Sequence, residues 1–330
     1  FWYCCVFYWG IGFSDITSVK KVKMIEVKDA DDGTRLDRWF KKYFPSIPHN
    51  RLQKLLRTGQ VRVNGGRIKS AHRLNSGQNI RIPLIQKSDT SAPKLVTTPT
   101  IKPGRKNELC KSIIYQDDDV LIVNKPSGLA VQGGTKTEEH LDGYLESLRF
   151  DSPERPRLVH RLDKDTSGAI VLARNGITAR WLTKAFKERE IQKLYWAIVN
   201  GVPENPSGTI SKRLEKRYSK AGDKVIIAES PYGQSAKTNY KIIACAAESV
   251  TWLAMQPFTG RTHQLRVHVA EVLKTPILGD GKYGNGSAFF YTDSISRELH
   301  LHARKVRITG PNGRWIEANA PLPNHMISTF

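Results

Sequence analysis

The sequence predicts an α+β protein in two parts: a small basic α/β unit over residues 24–83 and a larger body over 109–330 built on a mixed, mainly antiparallel sheet. Three observations carry this. Helical spacing gives way to strand alternation within the first stretch. Residues 84–108, with Pro93, Pro99 and Pro103 among Ser and Thr and few large apolar groups, then read as a linker. Beyond them apolar strand runs outnumber helical ones, the pattern of an α+β body.

The first unit opens with a short strand at Ile25–Lys28. In RLDRWFKKYFPSIP, Leu36, Trp39, Phe40, Tyr43 and Phe44 recur at helical spacing, Thr34 is the expected N-cap, and Pro45 stops the helix. A second helix places Leu52, Leu55 and Leu56 on one face and stops at Gly59. Val61 and Val63 alternate as a strand, Asn64-Gly65 signals a hairpin turn, and a strand near Asn79–Pro83 closes the unit. Residues 1–23, which begin FWYCCVFYWGIGF, are expected to be an upstream extension, with Met24 as a normal start; the aromatic run is too short to span a bilayer, which needs roughly 20 residues.

In the body, SIIYQDDDVLIVNKPSG is two apolar runs around an acidic turn. RLVHRLDKDTSGAIVLARN is a short loop leading into a strand at Ala169–Ala173. GITARWLTKAFKEREI is an amphipathic helix. KLYWAIVNG, TNYKIIAC, TWLAMQP and RTHQLRVHVAEV are strand-like or mixed runs.

Charge narrows the function. Lys and Arg number 52 against 31 acids, a net +21. Residues 20–110 hold 21 of these cations and only 7 acids, so about two thirds of the excess lies in the smaller part. Such a field favours a polyanion, nucleic acid before an anionic membrane. The exposed cations expected to contact RNA are Arg51, Lys54, Arg57 and Arg62, with Arg67, Lys69 and Arg73 nearby. Cys4, Cys5, Cys110 and Cys245 form no CxxC pair and no zinc spacing, which points to a reducing, cytoplasmic setting.

The segment that carries chemistry is His160-Arg161-Leu162-Asp163-Lys164-Asp165-Thr166-Ser167-Gly168, a polar loop ahead of a buried strand. Arg161 and Lys164 would hold the nearby carboxylates ionised, and an ionised carboxylate can act as nucleophile or base. Charge pattern alone is equally that of a solvated turn with incidental ion pairs.

The exact string resembles the signature loop of the RluA-type pseudouridine synthases, and three further segments resemble that family in order: Asn124-Lys125-Pro126-Ser127-Gly128 (with Gln132 where His is common), Lys193-Leu194-Tyr195, and the run Gly260–His268, GRTHQLRVH. GDGKYG (279–284) and ELHLHA (298–303) are similar to the branch that modifies large-subunit ribosomal RNA. The first unit resembles the small S-four-like RNA-binding fold, with His49-Asn50 replacing its usual small polar residue.

The resemblance implies uridine-to-pseudouridine isomerisation in large-subunit ribosomal RNA or its assembly intermediates, without a cofactor or metal, by a cytoplasmic monomer. It makes Asp163 the nucleophile and Asp165 a loop support. Arg266 would be the ionic partner of Asp163, Tyr195 would pack on the base, and Leu265 would wall its pocket. Arg161 would fill the space that the flipped base vacates. His160, Arg261 and His263 would bind substrate. Attack at C1′, attack at the uracil ring and ribose deprotonation all remain open for Asp163. The competing readings are a transfer RNA enzyme, a noncatalytic RNA-binding assembly protein, a two-carboxylate glycoside hydrolase, for which no second acid is evident in sequence, and a membrane-associated protein resting on residues 1–13.

Overall fold

The computed structural model describes residues 22–83, 101–134, 137–218, 223–229, 231–246, 249–289, 295–310 and 313–329, which fall into two compact units divided between 83 and 101. Of the expected extension over residues 1–23, residues 1–21 lie outside the described residues.

The first unit contains β1 (Val22–Glu26), α1 (Leu36–Tyr43), α2 (His49–Arg57), β2 (Arg62–Val63) and β3 (Asn79–Pro83). The strands form an antiparallel sheet in the order β1-β3-β2. Leu36, Trp39 and Phe40 of α1 meet Leu52, Leu55 and Leu56 of α2 over Val61, Ile80 and Ile82. Gly59 ends α2 in the left-handed region, φ +67°.

Four local expectations are corrected here. β1 begins at Val22, two residues before Met24 and three before the predicted strand, because it pairs along the whole of β3 from Val22↔Pro83 to Glu26↔Asn79. Thr34 does not cap α1. The first N–H groups of the helix, Leu36 and Asp37, donate instead to the carbonyls of His72 and Ser70, so no side-chain cap is needed. Tyr43 leaves the core for the surface, where its hydroxyl donates to Asp31 at 2.5 Å, while Lys42 pairs with the same carboxylate at 2.6 Å. These two hydrogen bonds hold the Asp31 carboxyl below its usual range. Of the four cations expected at RNA, Lys54 and Arg57 are exposed and Arg51 is half-buried, whereas Arg62 is tied down, donating to the carbonyls of Gly59 and Gly65.

The second unit runs α3 (Pro103–Lys111), β4 (Ile113–Gln116), β5 (Val120–Lys125), α4 (Leu141–Tyr144), β6 (Arg157–Leu158), β7 (Ser167–Ala173), α5 (Gly176–Glu188), β8 (Gln192–Asn200), β9 (Ser207–Arg217), β10 (Lys224–Ile227), β11 (Gln234–Ala246), β12 (Val250–Pro257), α6 (Gln264–Val267), β13 (Leu301–Thr309), β14 (Trp315–Asn319) and α7 (Asn324–Ile327). The eleven strands form one sheet in the order β10-β9-β11-β12-β8-β13-β7-β5-β4, with β6 on β7 and β14 on β13. β13 and β7 run parallel and the other neighbours antiparallel, the mixed sheet that the strand runs predict.

The centre of this sheet is buried on both faces. Leu121, Val123, Ile170 and Leu172 pack under Leu141, Tyr144 and Leu145. Val120, Ile122, Val171 and Ala173 face Leu182 and Ala185 of α5. Each fully buried side chain of this kind contributes about 1.5–3 kcal/mol. Gly168, at φ +110°, lets β7 approach β13 so closely that a Cβ would run into the backbone of Ala303. This close contact fixes the strand that follows the Asp163 loop.

Two larger expectations also change. The predicted linker, residues 84–108, lies outside the described residues up to 100, and its last part is not a linker. Pro103–Lys111 is helical, Leu109 is buried against β5, and Lys102 and Arg105 pair with Glu139 at 2.8 and 3.2 Å. A single buried Leu left too little apolar periodicity to show. The run RTHQLRVHVAEV is not a strand but α6 followed by a π-helical turn, His268–Val272. Its alternation is overridden by Gln264, whose side chain accepts from Thr259 Oγ1 and the Arg261 N–H and donates to the Lys237 carbonyl and Thr238 Oγ1. No helix among the described residues is long and apolar enough to cross a membrane.

Candidate active site

Asp163 lies on the loop between β6 and β7, and three elements hold that loop. Its own turn closes through the Thr166 N–H to the Asp163 carbonyl, 3.2 Å. From below, the Lys125 ammonium at the end of β5 donates to the carbonyls of Pro126, Leu129 and Lys164 at 2.8, 2.8 and 2.9 Å. Burial pushes Lys125 down to about 7, against the opposing charges of Asp165 and Asp163, while three carbonyl acceptors match the three N–H bonds of its charged form. Ser127 Oγ donates to the Asp165 carbonyl, 3.1 Å. The Asn-Lys-Pro-Ser-Gly turn therefore fastens the Asp163 loop through its backbone.

His160, expected at the substrate, is held as part of the wall. Its Nε2 accepts the Val171 N–H at 2.8 Å and its ring stacks on Phe186. Burial, reinforced by the charge of Lys193, lowers its pKa to about 3, so it is neutral.

Arg266 corrects the expected ion pair. Its Nε and Nη2 form a fork onto Asp280 at 2.8 and 2.7 Å, and both side chains are almost fully buried. Asp163 influences it through its charge and is not its direct partner. Burial opposes the guanidinium charge, but Asp280 and then Asp163 more than offset this, so Arg266 stays charged. Asp280 also accepts the N–H groups of Lys282 and Tyr283, which explains its position: the 279–284 turn wraps its own carboxylate and presents it to α6. Sequence reading passed over Asp280, although the turn containing it was noted.

Among the described residues the ionisable group within ion-pair distance of the Asp163 carboxylate is His263, whose Nε2 lies 3.9 Å from Oδ2. His263 adopts φ +51° at the start of α6, and its Nδ1 is 2.6 Å from the Tyr283 hydroxyl. Tyr283 accepts the Val225 N–H, which leaves its own hydrogen for Nδ1 and Nε2–H for Asp163. Burial, with the charges of Arg266 and Lys282, lowers the His263 pKa, although Asp163 opposes this.

Two adjoining cavities meet at Asp163, Arg161, His263 and Arg266. The first, about 440 Å³, has Tyr195, Leu265, Phe186 and Leu162 among its walls, with Arg261 at the side, a volume suited to a small flat ligand. Burial, then the charge of Asp163, raises the Tyr195 phenol above its ordinary value, so it is protonated. Arg161 is exposed where the cavities join and has no side-chain partner among the described residues. Arg261 Nε donates to the Ser235 carbonyl, 3.1 Å. The loop, the β8 tyrosine and α6 thus converge, while Arg51, Lys54, Arg57 and Arg62 belong to the other unit. Among the described residues no three His, Cys, Asp or Glu side chains gather as a metal-ligand set.

The family model for RNA pseudouridylate synthases matches residues 119–271. The chain is 33% identical to ribosomal large subunit pseudouridine synthase C of Vibrio parahaemolyticus, over 93% of this chain and 95% of that protein. It is 36% identical to the mitochondrial RNA pseudouridine synthase 4 of Arabidopsis thaliana, over 92% and 80% of the two chains. The solved structure of human RNA pseudouridylate synthase domain containing 4 superposes with a TM-score of 0.58 at 28% identity, covering 68% of this chain and 94% of that one. With its mixed sheet and a signature loop set between two cavities, the chain belongs to the RluA-type RNA pseudouridine synthases, isomerases of uridine in RNA.

Proposed function

We propose that this protein converts specific uridines of large-subunit ribosomal RNA to pseudouridine, with Asp163 as the nucleophile. The observation that carries the reading is a single carboxylate shared by two cavities, one with the rings of Tyr195 and Phe186 and room for a base, the other lined by cations and glycines. The N1–C1′ bond breaks, a C5–C1′ bond forms, and the proton on C5 is replaced by one on N1, so substrate and product are isomers. The target base must leave its stack, at roughly a few kcal/mol, to enter the first cavity. Tyr195 and Leu265 pack on it, and Arg161 occupies the space it vacates, a planar cation suited to stacking on bases. Arg266, oriented by Asp280, and the His263 N–H surround the carboxylate with fixed positive dipoles and charge, the pre-organisation that lowers a barrier in a partly dry site.

The first unit acts as an S-four-like RNA-binding domain. Lys54 and Arg57 lie on the face of α2 opposite its buried leucines, so they are available to phosphates, and binding should weaken steeply with salt. The substrate assignment rests on likeness to relatives named as large-subunit enzymes along nearly their whole length. Pseudouridine mapping of unmodified large-subunit ribosomal RNA, beside a transfer RNA pool, tests it. Sites confined to transfer RNA would reassign the substrate. No product in either RNA, with binding intact, would leave an RNA-binding protein.

A further inference from the structure

We infer that the second cavity is a phosphate subsite, in which Lys282 and Arg297, with Lys164, hold the phosphodiester backbone of the strand flanking the target uridine. This rests on the reading above, that the target base occupies the first cavity.

The two cavities share Asp163, Arg161, His263 and Arg266, so an occupant of one continues into the other. Their chemistry differs. The first combines rings and aliphatic chains with six cations, Arg161, Lys187, Arg189, Lys193, Arg261 and Arg266, whereas the second holds no ring but His263. The second, about 650 Å³, is lined by five cations, Arg161, Lys164, Arg266, Lys282 and Arg297, against the three carboxylates Asp163, Asp165 and Glu298. Arg266 is committed to Asp280. Lys164, Lys282 and Arg297 have no carboxylate within ion-pair distance among the described residues, and Glu298 leans instead to His325 Nδ1, 3.7 Å away. Like charges gathered without partners repel one another, and an anion between them relieves that repulsion.

The backbone is built for such an occupant. Gly279 sits at φ +77° with the space of a Cβ filled by the Glu298 carbonyl. No other residue would let the 279–282 turn lie against 297–299, and this contact brings Lys282 and Arg297 to one cavity. Gly128, where a Cβ would meet nothing within 4 Å, lines it without a side chain, so a sugar–phosphate chain can approach the backbone there. Lys282 offers a compact point charge and Arg297 a planar fork, the two usual ways of holding phosphate. A nucleotide with its base in the first cavity and its ribose at Asp163 has its phosphates on this side.

The test compares Lys282→Gln, Arg297→Gln and the double variant of the full chain with wild type, using unmodified large-subunit ribosomal RNA. Binding is measured against salt, and single-turnover rate at saturating RNA. Each single variant should weaken binding several-fold and reduce the log–log salt slope by about 0.7–0.9, with the loss falling on affinity more than on rate. Lys241→Gln, exposed on β11 outside both cavities, is the control. Unchanged affinity and slope in the double variant, or an equal loss in Lys241→Gln, overturns the subsite. A wild-type protein that yields no pseudouridine, with the slope changes intact, retains the subsite and overturns only the catalytic reading.

Discussion

Replacing Asp280 with Ala removes the only carboxylate among the described residues in ion-pair contact with Arg266, whose Nε and Nη2 it engages at 2.8 and 2.7 Å. Side-chain exposure is 8% for Arg266 and 1% for Asp280, so solvent cannot replace the lost partner. Removing one member of a buried pair costs about 3–5 kcal/mol, because the remaining charge is left uncompensated. In a domain of this size each kcal/mol shifts Tm by roughly 2–4 °C. The Lys282 and Tyr283 N–H groups lose their acceptor as well, so the turn that supports His263 through Tyr283 loosens. With Arg266 and His263 both displaced, product formation should fall by about 10²-fold. Urea unfolding followed by circular dichroism gives the stability term, and single-turnover pseudouridine formation gives the catalytic one. The double variant Asp280→Ala, Arg266→Met should recover part of the stability and little of the activity, since neutralising both partners removes the buried charge but not the need for it. A loss below about 1 kcal/mol for Asp280→Ala, the range of an exposed pair, would refute this account of the network.

Two further outcomes follow from the same geometry. Lys125→Met leaves the carbonyls of Pro126, Leu129 and Lys164 without donors, at about 1–3 kcal/mol for each that stays buried; the variant should unfold at lower urea and lose activity with the Asp163 loop, and native-like hydrogen exchange at residues 163–166 would count against that link. His160 and His302 are neutral in the fold, held by burial at about 3 and about 4 against an ordinary 6.5. Between 6.5 and those folded values the unfolded chain binds more protons than the folded one, so their contribution is complete above pH 6.5 and is lost as pH falls through about 4 for His302 and about 3 for His160; His302→Gln should flatten that acid limb in urea titrations, and an unchanged limb would contradict it.

Much of the site was legible because its chemistry is local in the chain. His160–Gly168 is one unbroken string, Lys193–Tyr195 lies on β8, and Gly260–His268 is one continuous run through α6, so order and residue type picked them out. The partners that orient these groups were not legible, since each is set by a contact between distant segments. Lys125 reaches the carbonyl of Lys164, 39 residues on, and no sequence pattern records which carbonyls a buried ammonium will meet. Asp280 is taken by Arg266 because the 279–284 turn folds onto α6, whereas the family resemblance gave Arg266 to Asp163. The strand-like alternation of Arg261–Val272 yielded to a helix because Gln264 ties its start to β11 and the Thr259 loop. Helix α3 was hidden for a simpler reason: it buries Leu109 and is otherwise held by ion pairs to Glu139, so its composition is that of a linker.

The measurement that bears most directly on the central claim is nucleotide-resolution pseudouridine mapping of unmodified large-subunit ribosomal RNA incubated with wild-type protein and with Asp163→Ala. The account predicts discrete new sites with wild type, none with Asp163→Ala, and RNA binding with an unchanged salt slope in both. Sites that persist with Asp163→Ala would contradict it, because among the described residues no other carboxylate lines both cavities.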